Sequence, residues 1–490
     1  MIGIIKKIAI NRSYLQIEGI LFHGINMVAS SPSSKQSLGL FHLIMINVIA
    51  VDSIRTLPFS ASYGFSLVFF YIIAAAVFLI PTALVSAELG TGWPVTGGVY
   101  VWVREAFGKK WSLTSIWLQW MYNVVWYPTI IALVAGTATY FFDPSLAGSR
   151  WYMAISVVVI FWLSTFFNFF GMRISSWIST VGALIGTILP MLLIAFLGFM
   201  WWIQGHPLEI TFSQKEFFPA FDKQENWAFL TTILFGLMGL EMVATHSADM
   251  KHARRDYPRS LFIAVLIILF TIVTASLSIA IVVPNSQLNL ATGAMQAFTI
   301  FLHSLGIDWA IPIVAGFIIL GGLCGISAWI IGPTKGLMVA SEDGSLPLFL
   351  RKKNKHGVPV NILWIQGVIV TVLSLVFVLL PTVNGSFWIL SVITAQLALV
   401  VYILLFASAI KLHYSKSEVK RSYVVPGKTI GMWLCSGIGI FCCVIVMILG
   451  FLPPIGVGIQ NISFYETTLM GGIVLICTFP FIILKMMKKR

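Results

Sequence analysis

The sequence predicts an all-α integral membrane protein with twelve transmembrane helices, and three observations carry that reading. Hydrophobic residues make up 58% of the 490 and charged residues only 10%. An ordinary soluble domain carries about 25% charged residues, so a soluble chain is excluded, and so is a disordered one. Apolar runs recur from end to end, each long enough to cross about 30 Å of hydrocarbon. A membrane β-barrel would alternate over about ten residues, whereas these runs are continuous over about twenty or more. Finally, the basic residues alternate loop by loop. Of the 30 Lys and Arg, 25 fall in one set of loops, from Lys6 to Arg490. The opposite set holds Arg150, Lys215 and Lys223, and Arg55 and Lys335 lie inside spans. Such a split is the positive-inside pattern, with both termini cytoplasmic. It accounts for the net charge of +13 and leaves nothing for nucleic-acid binding to explain.

The spans run 38–63, 65–89, 112–142, 151–171, 175–203, 227–249, 259–284, 309–340, 359–381, 385–412, 430–452 and 467–486. The basic N-terminal stretch has no clean signal-peptide core or cleavage site. Ser13 to Ser30 reads either as a surface helix or as sequence ahead of a true start at Met27. Before the third span, Gly98–Gly108 places Val99, Trp102, Val103 and Ala106 on one helical face. Before the eighth, Leu290–Leu305 is a comparable segment on the opposite side by the charge count. A surface helix ahead of the third span of each half, on opposite sides, is what five spans followed by five inverted ones produce. The expected organisation is therefore an N-terminal cytoplasmic extension (1–37) and a first five-helix repeat (38–203). An extracytoplasmic loop (204–225) and a second, inverted repeat (226–413) follow. A cytoplasmic loop, the last two helices and a short basic tail (414–490) complete the chain.

Charges inside spans mark function, because each costs about 2.5–3.5 kcal/mol at mid-bilayer on insertion scales. The first span reads Val51-Asp52-Ser53-Ile54-Arg55-Thr56-Leu57-Pro58. Asp52 and Arg55, three apart, share a helix face and are placed to pair. Pro58 removes a donor and disfavours helix at Leu57. A broken helix is expected here, its freed N–H groups and dipole suiting a carboxylate; a structural ion pair in a straight helix is the alternative. The sixth span reads Phe235-Gly236-Leu237-Met238-Gly239-Leu240-Glu241. Its glycines weaken the helix and allow close approach, and a carboxyl withdrawn from water suits proton coupling or gating. The third span carries Tyr122, Asn123, Trp126 and Tyr127 before Pro128, either walling a pocket or simply packing. The eighth carries Trp329 and Lys335, the latter near the cytoplasmic end and able to snorkel. Glu88, near the same face, is expected to meet a basic loop residue. Cys324, Cys435, Cys442, Cys443 and Cys477 lie in apolar runs without metal-ligand spacing and read as small core residues. Enzyme and nucleotide-binding signatures do not occur, so neither catalysis nor a cofactor is expected.

The stretches SIRTLPFSASYG (53–64), IPTALVSAELGTGWPVTGGVYVWVREAFG (80–108), LQWMYNVVWYPT (118–129), FNFFGMRISSWISTVGALIGTILP (167–190), GLMGLEMVATHSADMKHARRDYPRS (236–260) and GPTKGLMVASEDGSLP (332–347) resemble the amino acid–polyamine–organocation superfamily. Within it the chain looks most like bacterial permeases of the glutamate:GABA antiporter type. The resemblance implies a LeuT-like inverted 5+5 core with two further helices, helices one and six being unwound. It implies a substrate site at Val51, Asp52, Ser53, Ile54, Arg55, Tyr122, Trp126, Phe235, Gly236, Gly239 and Trp329. The α-carboxylate would meet N–H groups near Ser53 and Arg55, and the ammonium carbonyls around Phe235 to Gly239. Glu241, Phe235 and Lys335 would serve coupling or gating. The implied partners are an amino acid, protons and membrane lipid, for a monomer or weak homodimer in the bacterial inner membrane. Two features depart from the superfamily. Asp52 and Arg55 replace a glycine-rich break, which leaves the substrate's charge open. The chain ends at Arg490, so a long tail plugging the cytoplasmic mouth is not expected.

The expected function is amino acid transport by alternating access, with exchange as the lead mode and proton symport as the alternative. A channel or a receptor is the rival class. A channel would need a continuous polar stripe, whereas the polar residues here cluster at two breaks.

Overall fold

The polar insert in the first apolar run interrupts its helix, as its sequence predicts. The computed structural model describes residues 39–94, 97–169, 182, 184–219, 225–228, 230–242, 253–344, 346–452 and 462–487. The expected N-terminal extension, the start of the fifth span, the end of the sixth and the side chain of Lys335 lie outside the described residues. Among the described residues all regular structure is helical, apart from a single bridge between Lys353 and Pro359.

Eleven of these helices are long and apolar enough to cross a membrane. They are α1 (Leu40–Ala61, broken in the middle), α2 (Gly64–Gly92), α4 (Lys109–Phe141), α5 (Arg150–Phe169), α6 (Leu184–Ile203), α8 (Ala253–Ala280), α10 (Ile311–Glu342), α11 (Val360–Leu379), α12 (Val383–Ser415), α13 (Lys428–Leu449) and α14 (Ile462–Met487). A shorter apolar helix, α7 (Leu230–Gly236), falls at the sixth run. Two amphipathic helices, α3 (Val99–Phe107) and α9 (Gly293–Ser304), precede α4 and α10. The apolar face read for α3 is buried, Val99, Trp102, Val103 and Ala106 included, while Arg104 and Glu105 stay outside. Gly108, at φ +83, supplies the left-handed turn that redirects the chain from α3 into α4.

The helix α12 is buried on almost every side and packs along α4, which also runs against α10. Polar pins fix this framework. Trp120 Nε1 donates to Gln366 Oε1 at 2.8 Å, and the Tyr127 hydroxyl donates to the Trp329 carbonyl at 2.8 Å. Trp162 Nε1 donates to Thr371 Oγ1 at 2.9 Å. In an apolar environment an unmade bond of this kind has no water to replace it. The first half of α1 packs instead against α8, which in turn packs on α6.

Close helix contact at α6 and α10 depends on two facing glycines. A Cβ on Gly186 would lie 2.2 Å from Gly321 Cα, and one on Gly321 would lie 2.6 Å from the Gly186 backbone. Neither obstacle is a side chain that can swing away. Gly321→Ala is therefore expected to lower stability by about 1–3 kcal/mol through overpacking. Gly325→Ala on the same helix meets nothing within 4 Å and serves as the control. Thermal unfolding of both variants in detergent, with equal melting points as the contrary result, checks this contact.

Candidate functional site

The interruption of α1 is short. Leu40–Val51 is helical, Asp52 (φ −63, ψ 126) and Ser53 (φ −147, ψ 124) are extended, and Ile54–Thr56 is a 3-10 turn leading into Leu57–Ala61. Pro58 lies in the first turn of this second half, where a missing N–H costs nothing. The first bond of the new helix runs from Thr56 N to Ser53 O at 3.2 Å. The N–H groups of Ser53, Ile54 and Arg55 precede it, and these are the donors that a helix start leaves without an intrahelical acceptor.

The α7 helix ends at Gly236, passes through Met238 and Gly239 without helix, and resumes as one 3-10 turn over 240–242. Gly239 has φ +128, a conformation closed to ordinary L-residues. It lies against the end of the first half of α1, where a Cβ would come within 2.6 Å of the Ala50 carbonyl oxygen. A Cβ on Gly236 would meet the Thr56 side chain at 3.5 Å. The two breaks thus face each other, Gly239 against the end of the first half of α1 and Gly236 against Thr56.

Three charged side chains are buried here: Arg55 is 2% exposed, Asp52 4% and Glu241 3%. Asp52 and Arg55 do not pair, which corrects the sequence expectation. The three-residue spacing brings side chains together only in continuous helix, and the extended Asp52–Ser53 step turns them to different neighbours. Asp52 Oδ2 accepts from the Thr271 hydroxyl of α8 at 2.8 Å. Arg55 Nη1 donates to Ser391 Oγ of α12 at 3.1 Å. The guanidinium also lies 4.8 Å over the Phe235 ring and 6.0 Å from the centre of Phe387.

These contacts offset the desolvation only by using part of each charged group's hydrogen-bonding capacity. A bond to a charged group contributes about 1.5–3 kcal/mol and a buried cation–π contact about 2 kcal/mol. Burying each ion costs several kcal/mol. Arg55 Nε and Asp52 Oδ1 have no hydrogen-bond partner among the described residues. A site with one unsatisfied cationic donor and one unsatisfied anionic acceptor is chemically suited to a zwitterion.

Glu241 is held differently. The Tyr402 hydroxyl of α12 donates to Glu241 Oε2 and accepts the Gly239 N–H at 2.8 Å. One tyrosine therefore joins the carboxyl to the break in α7.

Val51 thus lies against Gly239, Thr56 against Gly236 and Arg55 against Phe235. The 3-10 turn at Ile54–Thr56 also touches α4. On α4, Gln119 reaches the Met242 sulphur at 2.9 Å. Tyr122 and Trp126 are half-buried on the same helix, and the Trp126 and Trp329 rings lie 6.2 Å apart. Glu88 does pair with a basic loop residue, Arg421. Thr271, Phe387, Ser391 and Tyr402 escape the sequence reading. Each is a common residue in a long apolar run, with no charge or break to single it out.

The amino acid permease family model matches residues 38–475. An uncharacterized transporter of Legionella pneumophila is 50% identical over 452 residues, covering 92% of this chain and 97% of that protein. A glutamate/gamma-aminobutyrate antiporter of Lactococcus lactis is 29% identical over 463 residues, covering 93% of this chain and 92% of the relative. A probable agmatine/putrescine antiporter of the same species is 24% identical over 397 residues, 81% of this chain and 84% of the relative. With helices that cross the membrane, two facing breaks and a match over nearly its whole length, the chain belongs to the amino acid permease family and is a transporter, not an enzyme.

Proposed function

We propose that the protein exchanges an acidic amino acid for a related amine-bearing amino acid across the bacterial inner membrane, by alternating access. The reading is carried by one observation, the buried guanidinium of Arg55 at the donor end of the α1 break, with Nε unpartnered among the described residues. In this reading the substrate's α-carboxylate takes the N–H groups of Ser53, Ile54 and Arg55. Its ammonium takes the α7 carbonyls and Asp52, and a second carboxylate takes the Arg55 side chain. Tyr122, Trp126, Phe235 and Trp329 form walls, and Glu241 couples or gates. Lys335 takes a cytoplasmic gating position. The names of the Lactococcus relatives support exchange as the mode.

The architecture proposed for this cycle has twelve spans, with α7 and the chain after it forming the sixth. They divide into inverted repeats at 38–203 and 226–413, and the N- and C-termini are cytoplasmic. The paired amphipathic helices α3 and α9 support the repeat, and the Lys and Arg distribution supports the orientation. A bundle of α1, α2, α7 and α8 rocks against a frame built on α4, α10 and α12.

Counterflow in proteoliposomes tests the mode. Uptake that requires internal amino acid supports exchange; uptake driven by a pH gradient into empty vesicles supports proton symport, the reading that Glu241 would favour. A competition screen with the twenty amino acids and GABA identifies the substrate. Arg55→Ala is expected to reduce transport of acidic substrates at least about tenfold more than that of neutral ones, since a charged-group bond is worth about 1.5–3 kcal/mol. Equal losses for both classes would assign Arg55 to structure alone.

A further inference from the structure

Away from the candidate substrate site, a buried ion pair joins two parts of the molecule. Glu88, near the end of α2, has a side chain 1% exposed. Arg421 Nη1 donates to its Oε1, and the Val425 backbone N–H donates to its Oε2 at 2.8 Å. His413 Nδ1 lies 3.7 Å from the same Oε1. Arg421 and Val425 belong to the loop 416–427 between α12 and α13. The loop is anchored to the α12 end by Arg421 itself, whose Nη2 donates to Leu412 O at 2.8 Å and Lys416 O at 3.0 Å.

The contact extends beyond the ion pair. The Arg421 guanidinium lies 5.4 Å from the centre of the Trp93 ring, just past α2. Tyr423 N donates to Thr91 Oγ1 at 3.3 Å. The Tyr423 ring packs 5.9 Å from Phe262 of α8. The loop therefore grips α2 and α8, while its root is in α12. A buried, hydrogen-bonded ion pair of this kind has no intermediate state of low energy: either it is made, or both charges reach water.

We propose that loop 416–427 is a strap that closes the cytoplasmic side, fastened by Arg421 on Glu88 and released whenever the transporter opens inward. The inference rests on the reading that α1, α2, α7 and α8 move as a bundle against α12. Thr91 is buried beneath the strap, so its exposure reports release directly. Arg421 acts on transport through Glu88 as a positioning residue and does not touch substrate.

The test uses the full-length protein in inside-out membrane vesicles. Thr91→Cys is expected to react with a membrane-impermeant methanethiosulfonate about tenfold faster when Glu88→Gln is added, because the loss of the ion pair shifts the population toward the released state. The glutamine still accepts from Val425, so the fold at this point is retained. An unchanged labelling rate overturns the strap. In a second arm, Thr91→Cys with Tyr423→Cys is bridged by a cleavable bis-methanethiosulfonate. Exchange should fall at least about tenfold and return when the bridge is reduced, with each single variant treated alike as control. Failure of the bridge to form, or complete bridging with undiminished exchange, overturns the proposal. If the wild-type protein exchanges no amino acid, the exchange reading fails while the labelling rate still reports on the strap.

Discussion

Glu241→Gln should lower exchange at least about tenfold and flatten its pH dependence, while the protein still folds and inserts. A carboxyl 3% exposed in the middle of the fold has few ways to satisfy its oxygens, and among the described residues the Tyr402 hydroxyl is a side-chain donor that reaches it. The same hydroxyl accepts from the Gly239 N–H, a donor that the break in α7 would otherwise strand. Bonds to an ionised carboxylate are roughly twice as strong as bonds to a neutral acid. Taking up a proton therefore slackens Tyr402, and with it the tie between α12 and the break. Glutamine has nearly the volume of the acid and still offers an oxygen to Tyr402, so packing survives, but its charge never changes. Tyr402→Phe is the companion variant. It removes the hydroxyl that joins Gly239 N–H to Glu241, so it should reduce exchange at every pH. Exchange by Glu241→Gln at the wild-type rate, with the wild-type pH profile, would remove the carboxyl from the mechanism.

How much of this site can be read from the chain depends on how unusual each residue is for its surroundings. Asp52, Arg55 and Pro58 stand in an apolar run where each is costly, so the break in α1 is legible. So is the site on α7, because two glycines and an acid interrupt a helix-forming pattern. The sequence does not reveal that only Gly239 needs its glycine for conformation, since Gly236 remains helical. Pairing of Asp52 with Arg55 is misread because a helical spacing rule is applied across the point where the helix stops. Ser391, Phe387 and Tyr402 are hidden for a different reason. α12 is buried on almost every side, so it has no solvent-facing contrast against which a functional hydroxyl could stand out. Arg421 is hidden by abundance: Lys416, Lys420 and Lys428 surround it, and topology alone explains a basic loop. Only the fold shows which of these cations is out of water.

Gly239→Ala should abolish exchange, by at least about a hundredfold, and lower the melting temperature. At φ +128 an alanine pays about 1–3 kcal/mol for backbone conformation alone. The methyl would also stand 2.6 Å from the Ala50 carbonyl oxygen and 3.2 Å from its carbon, and that carbonyl belongs to the last turn of the first half of α1. Backbone cannot rotate aside as a side chain does, so either α1 and α7 separate or Gly239 leaves its conformation. Both outcomes move Gly239 N–H away from Tyr402 and shift the start of the second half of α1 relative to α7. Gly236→Ala provides the comparison. Its methyl would meet Thr56 at 3.5 Å, an ordinary contact, and its backbone is helical, where alanine is preferred by about 1 kcal/mol. The prediction is therefore a difference: a far smaller loss of exchange for Gly236→Ala, with a melting temperature at or above that of the wild type. Exchange rates normalised to reconstituted protein, together with thermal unfolding in detergent, give both quantities. Equal behaviour of the two variants would mean that the contact between Ala50 and Gly239 does not hold the two breaks together.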